Sequence, residues 1–270
     1  MTPRSCSLPL QRRIVDFAAD VPFHDVPKKL KEHYGVEICI EVIRQITLEH
    51  ASAMTGFGDL EKTMPEQGGV PQLIAAADGG MVPIVEIDNQ AKGDKRKTRK
   101  VLWKEARLCL SRNMRKIAAV FRATLKSTDE LGDLWFLSAL TAGMGPKTAI
   151  HCLGDGAPWI KDQAERVFGG KATYLTDFYH VSEYLAAAGA DCSLDAKKWL
   201  KEQQTRLREG NLYLVLQELE KHLYGKEQPK ESVQACYRYL TNRLTQLDYL
   251  GAILKELPNR YIYLALSKLA

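Results

Sequence analysis

Asp78, Asp155 and Asp177 each stand at or just past the end of an apolar stretch that reads as a β-strand. In an open sheet, strand ends are where ligands and reacting groups gather. Asp78 is followed by Gly79-Gly80, and Asp155 is bracketed by Gly154 and Gly156. Glycine has no side chain to block the approach of backbone, metal or phosphate. Hard cations such as Mg2+ (or Mn2+) prefer carboxylate oxygens. Two such ions, about 3.5–4 Å apart, can stabilise both the attacking and the leaving oxygen of a phosphoryl transfer. Asp78 and Asp155 are therefore the expected metal ligands. His180 follows Asp177 by three residues, a spacing that puts both side chains on one helix face. The imidazole could position a phosphate, share a proton or orient an aspartate. Glu183 continues that face as a further ligand or a surface acid.

Each feature also has a plainer reading. Asp-Gly is a common turn dipeptide, and Asp177 with His180 also describes a helix cap followed by a satisfied histidine. What favours a shared site is that Asp78 and Asp155 follow two separate apolar strands. His151 and Cys152 lie inside a strand and read as packing groups. Trp135 and Trp159 read as core.

The elements that must position these residues follow from hydrophobic pattern. Residues 73–77 read as a buried strand, with a break at the glycines and a second extended stretch at 81–87. Further strands are expected at 101–110 and 116–125. An amphipathic helix over 129–143 carries Leu131, Leu134, Trp135, Leu137 and Leu140 on its apolar side. Then come a strand (148–153), a helix (159–168) and a short strand (172–176), after which the signal is almost purely helical. This order predicts an α/β fold, a ribonuclease H-like mixed sheet with flanking helices.

Residues 8–62 read as helical. Asp25 is a fair helix cap, Pro27 fits a first turn and Gly35 a stop, before a helix over 40–50. Two short helices joined by a glycine turn suggest a helix-turn-helix, whose second helix would present Arg44 and Gln45 to a major groove. A plain helical hairpin fits the same pattern. A Gly/Pro-rich stretch, 64–71, reads as a linker. Three regions are thus expected: a helical, helix-turn-helix-like region over 1–64, a mixed-sheet core over 72–185, and a helical region and tail over 186–270.

The run 91–100 holds six basic residues, among them Lys95, Arg96, Lys97, Arg99 and Lys100, against one acid. It suits a DNA backbone, which it could hold by displacing counterions without reading sequence, or a solvated loop between two strands. The net charge of +5 is compatible with nucleic acid without being diagnostic. The composition, 45% hydrophobic and 26% charged, is that of a globular protein, and no apolar run could span a bilayer. Residues 1–13 lack the apolar core of a signal peptide, so the expected location is the cytoplasm, with access to the nucleoid. None of the six cysteines forms a C-x-x-C pair, which argues against a zinc ribbon and for reduced thiols.

Three blocks carry a family likeness: Ala77-Asp78-Gly79-Gly80-Met81-Val82, Gly154-Asp155-Gly156-Ala157-Pro158-Trp159-Ile160, and Leu175 to Leu185 with its Asp177-Phe178-Tyr179-His180 core. Together they resemble successive blocks of ISKra-type insertion-sequence transposases. These are similar to the wider Mutator-like DDE group, whose D-x-x-H signature matches Asp177 and His180. The likeness runs from the N-terminal helices to about Ile253. It implies a ribonuclease H-like catalytic domain interrupted by a helical insertion, two Mg2+ ions, and DNA hydrolysis and strand transfer at transposon ends. By the same likeness, Asp78 and Asp155 match the first two catalytic acids, Asp177 and His180 match an accessory motif, and a dimer or larger homo-oligomer is the usual working form. The tail departs from the pattern. The glycine- and serine-rich turn and the glutamate that supplies the third ligand are absent after Leu257-Pro258, and Glu256 does not match. A C-terminally truncated, catalytically incomplete enzyme is therefore expected.

Three functions compete on this reading. One is a DDE transposase by descent. Another is a non-catalytic protein that binds transposon ends. The third is an unrelated metal-dependent hydrolase, against which the D-x-x-H block argues.

Overall fold

The computed structural model describes residues 6–55, 63–88, 90, 93–224 and 230–260. Part of the helical stretch expected to reach 62, positions 91 and 92 of the basic run, and the tail beyond 260 lie outside the described residues. The chain forms two compact units that divide between residues 62 and 63.

The first unit is helical: α1 (Leu8–Asp20), α2 (Val26–Tyr34) and α3 (Ile40–Thr55). Their apolar stripes meet in a small core of Ile14, Val26, Leu30, Ile43 and Ile46. Gln11 ties α1 to α3, since its Oε1 lies 3.0 Å from His50 Nε2. Gly35 ends α2 at φ +65, and its N–H bonds back to Lys31 O, the left-handed stop that glycine adopts without strain. The cap expected at Asp25 is not made. Asp25 is itself helical in backbone (φ −91, ψ −19), and its carboxylate lies 3.3 Å from His24 Nε2.

The second unit is built on β1 (Gln72–Glu86), β2 (Lys100–Asn113), β3 (Val120–Thr124), β4 (Ala149–Gly154) and β5 (Ala172–Thr176), in the order β3-β2-β1-β4-β5. The first three strands form an antiparallel meander; β4 joins β1 in parallel, and β5 joins β4 in parallel. This is the mixed, ribonuclease H-like sheet that the element order predicts. The expected break at Gly79-Gly80 does not occur. Both glycines stay in the ladder, Gly79 opposite Arg107 and Gly80 opposite Ala106, so β1 and β2 run on together as a two-stranded arm as far as Glu86 and Lys100.

Side chains alternate across a strand, and each face of the sheet buries its own core. Leu73, Ala75, Ala77, Cys109, Ile150 and Cys152 pack against α4 (Thr128–Thr141) and α5 (Pro158–Phe168). Trp135 anchors that layer: it is fully buried, and its indole N–H donates to Leu110 O at 3.1 Å. Burying so large a ring stabilises the layer by about 3 kcal/mol. Ile74, Ala76, Leu110, Leu153 and Leu175 face the other way. They pack under α6 (Phe178–Cys192), α7 (Ala196–Arg208), α8 (Leu212–Leu223), α9 (Glu231–Thr241) and α10 (Tyr249–Leu254). Helix α6 runs unbroken through positions 185 and 186. Among the described residues, no helix is long and apolar enough to cross a membrane, and the six cysteines are unpaired, with Cys109, Cys152 and Cys236 buried.

Candidate functional site

The parallel register of β1 on β4 pairs Ala76 with Leu153. Carried two residues further along each strand, it sets Asp78 level with Asp155, one position beyond the end of β4. Neighbouring strands lie about 4.8 Å apart, and parity puts both carboxylates on the face covered by α6. Asp177 ends β5, the next strand over, and caps α6, with its Oδ1 accepting from Tyr179 N at 2.6 Å. His180 lies on the first turn of α6, with its Nδ1 3.4 Å from Glu183 Oε2. The i,i+3 face expected for His180 and Glu183 is thus formed, while Asp177 sits at the cap, just outside the helix.

The charges are close enough to act on one another. Burial pushes the Asp78 carboxyl up to about 6; the hydrogen bond from Gly79 N opposes this, Asp155 adds to it, His180 opposes it and Asp177 adds again. In Asp78 and Asp155, Oδ1 is engaged by the local backbone, from Gly79 N at 2.8 Å and Ala157 N at 2.7 Å. Oδ2 of each takes no hydrogen bond from another described residue. Among the described residues, no group of three or more His, Cys, Asp or Glu side chains is arranged to hold a metal ion.

The glycines around these acids serve the protein's own packing. A Cβ on Gly79 would meet Glu105, which reaches across from β2 on the α4–α5 face. On Gly154 it would meet Tyr174 and Ile160, and on Gly156 it would meet Arg243. At Gly79, Gly154 and Gly156 the space left by the missing side chain is therefore filled by the protein's own side chains.

Other residues at the site carry no signal in sequence. The Tyr239 hydroxyl donates to Asp155 O at 2.6 Å across 84 positions of chain, and the Arg243 guanidinium donates to Gly156 O across 87. The buried Tyr249 hydroxyl donates to Thr176 O at 3.0 Å. His151, 3% exposed, donates from Nε2 to Pro258 O at 2.8 Å; burial lowers its pKa despite that bond. It is the packing group expected from its place in the strand. Trp135 is core as expected, whereas Trp159 is half-buried beneath the Arg107 guanidinium. A groove of about 560 Å3 beside α6, lined by Phe178, Tyr179, Glu183 and Arg208, takes in none of Asp78, Asp155, Asp177 and His180.

Of the residues expected to meet DNA, those whose side chains are described lie on the surface. Arg44 and Gln45 are exposed on α3, where each bonds a glutamate of the same helix, Glu41 and Glu49. Lys97, Arg99 and Lys100 are exposed in the connection between β1 and β2. Lys95 and Arg96 open a short 3-10 turn there (Lys95–Thr98), their side chains lying outside what is described.

Strand order and facing strand-end carboxylates define a mixed α/β protein with a ribonuclease H-like sheet. Its family is shown by sequence: the chain belongs to Uncharacterised protein family (UPF0236), which matches residues 3–254. No curated protein matches it.

Proposed function

We propose that the chain is a DDE-type transposase of an insertion sequence, built for metal-dependent cleavage and strand transfer of DNA at the element's ends. The observation that carries this reading is the nearness of Asp78 and Asp155: each follows by two positions the last paired residues of adjacent parallel strands, Ala76 and Leu153, and the charge of Asp155 acts on Asp78. The donor set suits a divalent cation. Two acids lie near each other, each with one oxygen unbonded by described residues, and a dication would favour the ionised Asp78 carboxylate against the burial and neighbouring acids that push it up. When bound, Mg2+ or Mn2+ would supply Lewis-acid stabilisation of the oxygens at the reacting phosphorus. Asp78 and Asp155 hold the ion, Asp177 fixes the first turn of α6 and adds negative charge, and His180 meets a phosphate oxygen or carries a proton. Helix α3 and the basic β1–β2 connection hold DNA of the nucleoid, with the chain as a homo-oligomer; since no third carboxylate joins Asp78 and Asp155 among the described residues, little or no strand transfer is expected.

A second reading is a protein that binds transposon ends without cutting them. It is favoured by the exposure of Arg44, Gln45, Lys97, Arg99 and Lys100. A nicking assay with Mn2+ on DNA carrying the element's ends separates the two. Nicking that Asp155→Ala abolishes supports the transposase. Retention of the DNA without nicking supports the binder, and neither nicking nor retention sinks both.

A further inference from the structure

The loop that carries Asp155 has left the β4 ladder, and Asp177 stands at the turn from β5 into α6. The ladder's last tie there is the Asp177 N–H, which donates to Gly154 O at 2.7 Å. Beyond it, backbone carbonyls next to both acids are bonded by side chains from one later stretch of chain. Tyr239 donates to Asp155 O at 2.6 Å. Arg243 forks onto Gly156 O, with Nε at 3.0 Å and Nη2 at 2.7 Å, while Nη1 returns to Tyr239 O at 2.9 Å. The Tyr239 ring is itself held, stacked on Tyr184 at 3.9 Å, with the Arg243 guanidinium 3.9 Å from its centroid. Gly156 has φ +88, and a Cβ there would strike Arg243 Nε, so the loop is shaped to receive the guanidinium. Tyr249 does the same for β5, bonding Thr176 O one residue before Asp177.

We propose that Tyr239, Arg243 and Tyr249 are positioning residues: Tyr239 and Arg243 aim the Asp155 carboxylate at a divalent cation, and Tyr249 fixes the strand end that sets the charge of Asp177 beside it. This rests on the metal-site reading above. The helices over the sheet are then part of the site's machinery, since metal ligands must be held to within about 0.5 Å.

The test is Mn2+ binding to the whole chain, followed by electron paramagnetic resonance well below the unfolding temperature, with Asp155→Asn as the ligand control. Tyr239→Phe removes one oxygen and keeps the ring stack. Tyr239→Phe, Arg243→Gln and Tyr249→Phe are each expected to weaken Mn2+ binding by about 10-fold or more, the usual effect of losing a group that orients a ligand. Arg243→Lys keeps the charge and loses the fork, so it should weaken binding as much as Arg243→Gln. Thermal melts run in parallel separate lost affinity from lost stability. Folded variants that bind Mn2+ as tightly as the unaltered chain overturn this inference and leave the metal-site reading standing. Full affinity in Arg243→Lys overturns the positioning role of Arg243. An unaltered chain that binds no Mn2+ overturns both.

Discussion

Asp78 on β1 and Asp155 just past β4 each lie two positions beyond the last paired residues of adjacent parallel strands, Ala76 and Leu153, close enough for the charge of one to act on the other. Two acids far apart in sequence are neighbours because the sheet inserts β1 between β2 and β4. Burial first, and the nearby Asp155 second, create a tension at Asp78 that is a stability term.

That tension has a sign. The Asp78 carboxyl titrates at about 6 in the folded chain against an ordinary 3.8. Between those values the folded state binds more protons than the unfolded one, so this group destabilises the fold above pH 6 and ceases to do so below about 3.8. Asp78→Asn is expected to stabilise the protein by about 1–2 kcal/mol at pH 7, after discounting for its partial exposure to solvent. At pH 4 the gain should shrink. Urea unfolding at the two pH values measures both.

His151 acts in the opposite direction. Burial lowers its folded pKa below the ordinary 6.5, so the unfolded state takes up the proton first as pH falls. Its contribution is fully present above 6.5 and is lost progressively below it. In an Asp78→Asn background, which removes the competing titration, stability should fall from pH 7.5 to 5.5. Adding His151→Gln should flatten that fall, as read from urea midpoints.

Two glycines beside the acids should respond differently to alanine. At Gly156 the backbone is left-handed and the new Cβ meets Arg243, so Gly156→Ala should cost about 1–3 kcal/mol. At Gly79 the φ is ordinary, and the obstacle is the flexible end of Glu105. Gly79→Ala should cost under about 1 kcal/mol. Equal losses in chemical denaturation would contradict this account of the two turns.

Duplex binding should depend on salt through the β1–β2 connection. Replacing exposed Lys97, Arg99 and Lys100 with alanine is expected to lower the slope of log affinity against log salt by about 2–3, close to one unit for each phosphate no longer neutralised. Fluorescence anisotropy across a salt series reads the slope. An unchanged slope would place the DNA elsewhere.

Much of the sheet was legible because buried strands and amphipathic helices repeat with different periods, and four of the five strands lie within a few residues of their expected bounds. Gly79-Gly80 misled because glycine usually marks an interruption. In β1 the gap left by Gly79 admits Glu105 from the neighbouring strand, a reason invisible without knowing which strand is the neighbour. Asp25 misled for a local reason: a residue in helical conformation does not aim its carboxylate at the next turn. The placement of Asp78, Asp155 and Asp177 at strand ends was legible because each follows an apolar run, and that of His180 from its spacing to Asp177. Tyr239, Arg243 and Tyr249 were not, because a tyrosine or arginine that bonds a distant carbonyl has no spacing rule.

Tyr239, Arg243 and Tyr249 are also synthesised late. A ribosome stalled before residue 239 has already made Asp78, Asp155, Asp177 and His180, yet none of the bonds from Tyr239, Arg243 or Tyr249 exists. The nascent polypeptide therefore carries these four side chains for some 60 residues of translation with their loops unfastened, until α9 and α10 emerge and dock.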